Sequence, residues 1–470
     1  MDELRGEFEG SCVGDERRLK RLLRVVGAAE EQPDASFPNM MGSEAALEGL
    51  YRLLGNPAVD PDGVVEGHRM RTAERSVAEG SVVVVHDTTS FQFAHADPRE
   101  VGFLQTGKPG FYGHFSLAVS ATGSREPLGV VGLETLFRNK RSRHRSRHMP
   151  GSATTKQKDN ESKRWEDGVR NAERLLAAVP ERVHVADREA DSYRFLAALQ
   201  QGACRFVVRV RHDRRARDAR EDAQEPWTTL KALAGSADTY LTREVSLSSR
   251  SVTTTAPRQA RSHPARQSRV AKLHYAATSM VVQRPKYFDD SVATELRVNI
   301  VRVYEPKPPV GQEPVEWLLA TTEPVDTAED VSRIVDLYRT RWVIEEFFKA
   351  LKSGCLYEER HLESRRALLN ALAIFAPLAC KLLWLRSRAQ VPDVPALDVI
   401  TKQQLQVLRA IAKRPLSQTP AARDVLWSIA GLGGHLKRNG EPGWATIRRG
   451  FERLLLAEVG WAAARTRRKM

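Results

Sequence analysis

The stretch SVVVVHDTTSFQF, residues 81–93, limits what this chain can become more than any other. Four successive valines make a strand with no polar face, and such a strand is stable only when both faces are covered. The run ends in a polar cluster that includes Asp87. FYGHFSLAVSA and EPLGVVGLETLF read as two further strands around a turn at Thr122-Gly123. A helix from about 162 to 178 leads into RVHVADREADSYRFLAALQ, which is strand, turn and helix, and ACRFVVRVR is a strand again. That alternation gives an α/β fold with at least part of its sheet parallel.

The flanks differ in character. In residues 1 to about 75, GDERRLKRLLRVVGAAEE and SEAALEGLYRLLGN read as helices, the second opened by a capping serine and closed by Gly-Asn. Between about 220 and 320, TYLTREVSLSS, AKLHYAATSMVVQ, ELRVNIVRVYE and EWLLATT are short strands with no convincing helix among them, the pattern of a β insertion. After 327 the chain reads as helical, through LLNALAIFAPLACKLLWLRSRAQ and GWATIRRGFERLLLAEVGWAAARTR. The expected organisation is a helical module at 1–75, an α/β core at 76–369 with its β insertion, and a helical region at 370–470. Within the core, RNKRSRHRSRHMPGSATTKQKDNESK carries Arg138, Lys140, Arg141, Arg143, Arg145 and Arg147 with almost no apolar residues, and reads as a mobile basic loop.

Charge narrows the partner. The 470 residues include 73 Lys plus Arg against 59 Asp plus Glu, a formal charge of +14, which points to a polyanion and first to nucleic acid. No segment reads as the ~18 to 20 apolar residues of a spanning helix, and MDELRGEFEG lacks a signal-peptide pattern. The expectation is a cytoplasmic protein with no membrane partner. Cys12, Cys204, Cys355 and Cys380 lie far apart with no CxxC, so neither a zinc site nor a disulfide framework is indicated.

YRTRWVIEEFFKALKSG, residues 338–354, reads as a helix with an unusual polar load. At about 100° per residue, Tyr338, Arg341, Glu345, Lys349 and Lys352 share one stripe, Val343, Phe347, Ala350 and Leu351 lie opposite, and Glu346 falls off the stripe. A solvated face with an i,i+4 pair would look the same. Two aspartates stand at comparable places upstream: Asp87 after the VVVV run and Asp187 after VHVA. Catalytic groups of open α/β sheets favour such strand ends, although a carboxylate there is also a common turn former or helix cap. Together with Glu345 they would supply three carboxylates able to hold two divalent ions ~3.5 to 4 Å apart, an arrangement suited to phosphodiester chemistry. Oxygen ligands favour Mg²⁺ or Mn²⁺ over zinc. His86 reads as a packing residue.

HDTTSF around Asp87, VADREADSY around Asp187 and the spaced set Y-x2-R-x3-E-x6-K filled by Tyr338, Arg341, Glu345 and Lys352 resemble the signatures of the DDE cut-and-paste transposases of the fourth bacterial insertion-sequence family. GDERR at 14–18, RFVVR at 205–209, EWLLATTEP at 316–324 and GLGGHLKRNGEPGW at 431–444 extend the resemblance, in order, along most of the chain. It implies a ribonuclease-H-like catalytic core interrupted by a β subdomain and flanked by N- and C-terminal helical domains. It also implies two Mg²⁺ ions on Asp87, Asp187 and Glu345, and excision by strand hydrolysis, hairpin formation, hairpin opening and strand transfer. Tyr338, Arg341 and Lys352 would meet DNA phosphates near the element's end, with Lys349 similarly placed on their stripe, and Trp317 would receive a flipped base unless it simply anchors its strand. Arg209 and Arg211 could approach DNA near the active site and the 138–148 run could track its backbone, while Arg17, Arg18 and Lys20 would read terminal repeats. The implied partners are double-stranded DNA, as terminal inverted repeats and target, and a second copy of the chain docked through helices beyond about 370. The alternatives are a non-catalytic DNA-binding descendant and a ribonuclease-H-like nuclease without strand transfer.

Overall fold

Valines 82–85 are buried on both faces of their strand, and covering them organises the first of two compact units. In the computed structural model, residues 4–139, 153–219, 226–249, 267–288, 291–436, 438 and 440–467 are described. One unit comprises residues 1–181 and 342–470, the other residues 182–341.

The first unit begins with helices α1 (Glu16–Glu31), α2 (Phe37–Met41), α3 (Glu44–Leu54) and α4 (Pro61–Glu79). Side chains of Asp15, Ser43 and Asp60 cap α1, α3 and α4. Strands β1 (Ser81–Gln92), β2 (Gly110–Ser120) and β3 (Pro127–Leu136) form an antiparallel meander with β2 in the middle, and α5 (Pro98–Val101) sits in the β1–β2 connection. Helix α6 (Ala153–Leu175) follows. It starts well before the expected residue 162, so part of the segment read as a basic loop is helical. ATTKQKDNES holds no Gly or Pro, and the scarcity of apolar residues hid a helix that propensity permits. Of that basic run, Arg138 is described, while Lys140, Arg141, Arg143, Arg145 and Arg147 lie outside the described residues.

The second unit holds β4 (Glu181–Ala186, whose first residue closes the first unit), α7 (Tyr193–Gln201), β5 (Phe206–Arg209), β6 (Arg215–Asp218), β7 (Thr228–Thr229), α8 (Leu230–Ser236), β8 (Thr239–Leu247), β9 (Arg269–Gln283), β10 (Glu295–Tyr304), β11 (Glu316–Thr321) and α9 (Ala328–Thr340). Its strand order is β4-β5-β11-β10-β9-β6-β7, with β8 also on β9. Among the described residues of this unit, β4 and β5 pair in parallel and the other strand pairs are antiparallel, so the protein is mixed α/β. The β-rich stretch is not free of helix: Thr229 caps α8 over LKALAGS, a seven-residue helix too short for periodicity to reveal.

The chain then returns to the first unit through α10 (Trp342–Lys349), α11 (Arg365–Arg388), α12 (Lys402–Ile411), α13 (Ala422–Leu432) and α14 (Trp444–Arg467). α11 corrects one expectation, because by length and composition it is apolar enough to cross a membrane. Most of that apolar stretch is buried inside the protein, and the buried Asn370 donates to the carbonyls of Leu54 and Val59 at 2.8 and 3.2 Å. This is the habit of a core helix. Cys204, Cys355 and Cys380 are buried, Cys12 is exposed, and none is in a disulfide.

Candidate functional site

Asp87 does not end its strand. β1 runs on to Gln92, fully paired with β2, so Asp87 stands in its middle, where burial on both faces gives way to half-burial from 87 to 90. The two threonines after Asp87 are β-branched and favour extended backbone as valine does, which a reading for apolar residues misses. Alternation puts His86 on the other face, where its Nδ1 meets Ser116 Oγ at 2.9 Å in a packing role. Asp87 lies opposite Phe115, whose ring meets those of Phe347 and Phe348 at 5.2 and 5.7 Å. Cross-strand partners share a face, so Asp87 is on the layer covered by α10, the helix that carries Glu345.

On the opposite face Thr88 supports this position, through contacts that no spacing rule predicts. Its backbone N–H donates to Asp87 Oδ1 at 2.7 Å. Arg164 Nε donates to its hydroxyl at 3.1 Å, and that hydroxyl lies 3.0 Å from His114 Nδ1. Burial and the Arg164 charge push the His114 pKa down to about 3, which keeps that imidazole neutral.

The polar stripe is not one straight helix. α9 stops at Thr340, Arg341 makes a turn, α10 runs to Lys349, and residues Ala350–Gly354 form a π-helix. Uniform rotation therefore misplaces both ends of the stripe. Ile344 rather than Val343 is fully buried alongside Phe347, Ala350 and Leu351. Tyr338 is buried as well, 5% exposed. Lys349 is ion-paired with Glu346 at 2.6 Å and lies over the Trp342 ring. Lys352 Nζ donates to the Ser90 carbonyl at 2.6 Å, three residues beyond Asp87 on β1, and Glu358 stands 4.0 Å away. Burial lowers the pKa of this ammonium and Glu358 opposes the shift.

The two neighbouring glutamates have separate fates. Glu346 binds Arg386 at 2.7 Å and accepts from Trp444 Nε1 at 3.2 Å, besides Lys349. Burial raises its pKa, but Lys349 and Arg386 outweigh burial and the net shift is downward. Glu345 is half-buried one residue earlier.

In the second unit Asp187 directly follows β4. Its Oδ1 accepts from Glu189 N–H at 2.8 Å and its carbonyl from Ala190 N–H at 3.1 Å. Five other candidates lie in this unit: Arg209, Arg211, Trp317, Tyr338 and Arg341. The Tyr338 ring meets Trp317 edge-on at 5.5 Å, and the Arg209 guanidinium lies 5.8 Å from the Trp317 ring centroid. Burial raises the Tyr338 pKa, the charges of Arg341 and Arg209 lower it, and Asp187 raises it. Trp317 is half-buried on β11, opposite Val303, so it is not swallowed by the core. Arg211 is exposed.

The N-terminal cations are on the first turns of α1. Arg17 is exposed, Arg18 lies 3.5 Å from Asp15, and Lys20 pairs with Glu16 at 2.7 Å.

Each of Asp87, Asp187 and Glu345 is half-buried in its own unit. They offer only hard oxygen donors, which suits Mg²⁺, Mn²⁺ or Ca²⁺ better than softer metals. Residues 143–376 match a family model described as transposase DDE domain, and residues 2–59 match one described as transposase DNA-binding. The first match takes in Asp187 and Glu345 and begins after Asp87; the second takes in Arg17, Arg18 and Lys20.

Proposed function

From a chain that carries a transposase DDE domain and a transposase DNA-binding domain, and is thereby a metal-dependent polynucleotidyl transferase acting on DNA, we propose a cut-and-paste transposase of the fourth bacterial insertion-sequence family. The observation that carries this reading is the DDE match over a segment that includes both Asp187 and the Tyr338 to Lys352 signature. Its core is ribonuclease-H-like with a β insertion, and its ligands for two Mg²⁺ ions, replaceable by Mn²⁺, are Asp87, Asp187 and Glu345. Bound there, the ions would activate a water or a 3′-OH and stabilise the leaving oxygen.

The protein's own groups then handle the DNA. Lys352, anchored to β1 at Ser90, brings positive charge beside the strand of Asp87 to meet phosphate. Arg341 and Arg209, with Arg211 beyond them, neutralise backbone near Asp187. Arg17, Arg18 and Lys20 contact terminal inverted repeats. Strand hydrolysis, hairpin formation, hairpin opening and strand transfer into target DNA follow as successive attacks at one site. The complex is a homodimer joined through the C-terminal helices, a reading supported by the exposed Leu456 and Val459 on α14. It acts in the cytoplasm, on the nucleoid.

The test is a nicking assay on duplex DNA carrying the inverted repeats that flank the gene. Nicked and hairpin products are expected with Mg²⁺ or Mn²⁺ and none after chelation with EDTA; binding of those ends without any metal-dependent nick would favour a non-catalytic DNA-binding protein. Trp317 allows a finer check. If it receives a flipped base, Trp317→Ala loses about 1 to 3 kcal/mol of stacking, lowering hairpin yield by roughly tenfold or more while first-strand nicking stays near wild type. Equal loss of both products would return Trp317 to a packing role.

A further inference from the structure

The connection after β4 contains a second aspartate with a different fate from Asp187. Asp191 is 2% exposed, and its carboxylate takes three hydrogen bonds. Oδ2 accepts from the backbone N–H groups of Arg211 and His212 at 2.5 and 2.8 Å, and Oδ1 from Arg214 Nη1 at 2.7 Å. The second Arg214 amino group donates to the Asp191 carbonyl at 2.9 Å. Arg214 is itself buried, 8% exposed. A buried ion pair is a poor route to stability, because well-packed apolar residues do as well or better. What this pair does supply is direction, since its bonds run to two consecutive backbone amides of a loop.

Both segments it joins carry proposed site residues. Asp187 begins the connection, closed by the bonds to Glu189 and Ala190, and Ser192 at its far end caps α7. The loop gripped at 211 and 212 starts at Arg209, the last residue of β5. We infer that Asp191 is a positioning residue, holding the Asp187 turn and the 209–214 loop in one fixed relation so that Arg209 is presented beside Asp187 and Trp317. The inference rests on the transposase reading and adds a residue to that site. Asp191 touches neither DNA nor metal in this role.

The test separates positioning from stability. Asp191→Leu/Arg214→Met replaces the pair by apolar residues, keeping the thermal midpoint within about 5 °C of wild type but leaving two amides without an acceptor. Three readouts are expected: unchanged affinity for the terminal-repeat duplex, a single-turnover nicking rate lower by about tenfold to a hundredfold, and faster hydrogen exchange at Arg211 and His212 than in wild type. Wild-type nicking at an unchanged midpoint would overturn the inference. If the midpoint falls further than that, Asp191→Asn/Arg214→Gln decides, since its carboxamide still accepts from both amides: nicking near wild type supports positioning, and a loss as deep as that of Asp191→Ala overturns it. Asp187→Ala is measured alongside. Nicking by Asp187→Ala would count against the reaction assignment itself, whereas a silent Asp187→Ala beside a fully active apolar pair counts only against Asp191.

Discussion

Asp87→Asn, Asp187→Asn and Glu345→Gln are each expected to lower metal-dependent nicking by more than about a hundredfold while leaving end binding nearly unchanged. The magnitude follows from the role proposed for them: residues that merely orient a metal ligand cost about 10- to 100-fold when removed, so loss of a ligand must cost more. Carboxamides are the right replacements here because they keep the local structure. Asp87 Oδ1 accepts from Thr88 N–H and Asp187 Oδ1 from Glu189 N–H, and an amide oxygen can take both bonds, whereas alanine would forfeit about 1 kcal/mol at each. Affinity for DNA should survive, since it comes from cations and counterion release rather than from anions. Glu346→Gln is the matched control. Glu346 serves Lys349, Arg386 and Trp444, so its replacement should lower the thermal midpoint and leave nicking per folded molecule intact. A rate within about tenfold of wild type in any of the three carboxamide variants would remove that residue from the ligand set.

The sequence exposed what local chemistry dictates. Valines 82–85, the capping serine Ser43 and a sheet that is parallel in part are legible because each depends on neighbours within a few positions. It misled where a uniform rule met an irregular backbone. The helical wheel assumed constant rotation from Tyr338 to Lys352, but the turn at Arg341 and the π-helix after Lys349 break that phase. This is why Tyr338 is buried although the wheel left it on the polar side. The choice between Glu345 and Glu346 did not need the whole wheel, since both lie within one regular helix, and the partners of Glu346 give it a structural duty. Buried polar networks stayed invisible for another reason. Asp191 and Arg214 are 23 residues apart and Arg75 and Glu7 are 68 apart, and no spacing rule links such pairs.

The network around Glu7 yields the largest expected effect on stability. Glu7 sits at the start of the chain, within the DNA-binding match, and is 4% exposed. Its carboxylate receives Arg75 at 2.6 and 3.0 Å and lies 2.6 Å from His68 Nδ1. His68 Nε2 accepts from the Val130 N–H at 2.9 Å, so the imidazole proton resides on Nδ1 and the ring is a neutral donor to Glu7. Burial raises the Glu7 pKa, but hydrogen bonds and charge from His68 and Arg75 overcome it and hold the carboxyl down to about 2. Burial depresses the His68 pKa, with Glu7 opposing. Both groups have folded pKa values below their unfolded ones, so in both cases the unfolded chain binds more protons as pH falls, and stability present at neutral pH is lost on acidification. His68 contributes its loss first, from about pH 6.5 downward, and Glu7 from about 4.5 toward 2. Glu7→Ala leaves Arg75 and His68 without their acceptor and is expected to destabilise the first unit by roughly 3 to 5 kcal/mol, read as a fall in its unfolding midpoint in urea at pH 7. His68→Phe should flatten the midpoint's dependence on pH between 5 and 7, at a lower plateau because Val130 and Glu7 each lose a partner. An unaltered slope in that variant would assign the acid sensitivity to other groups.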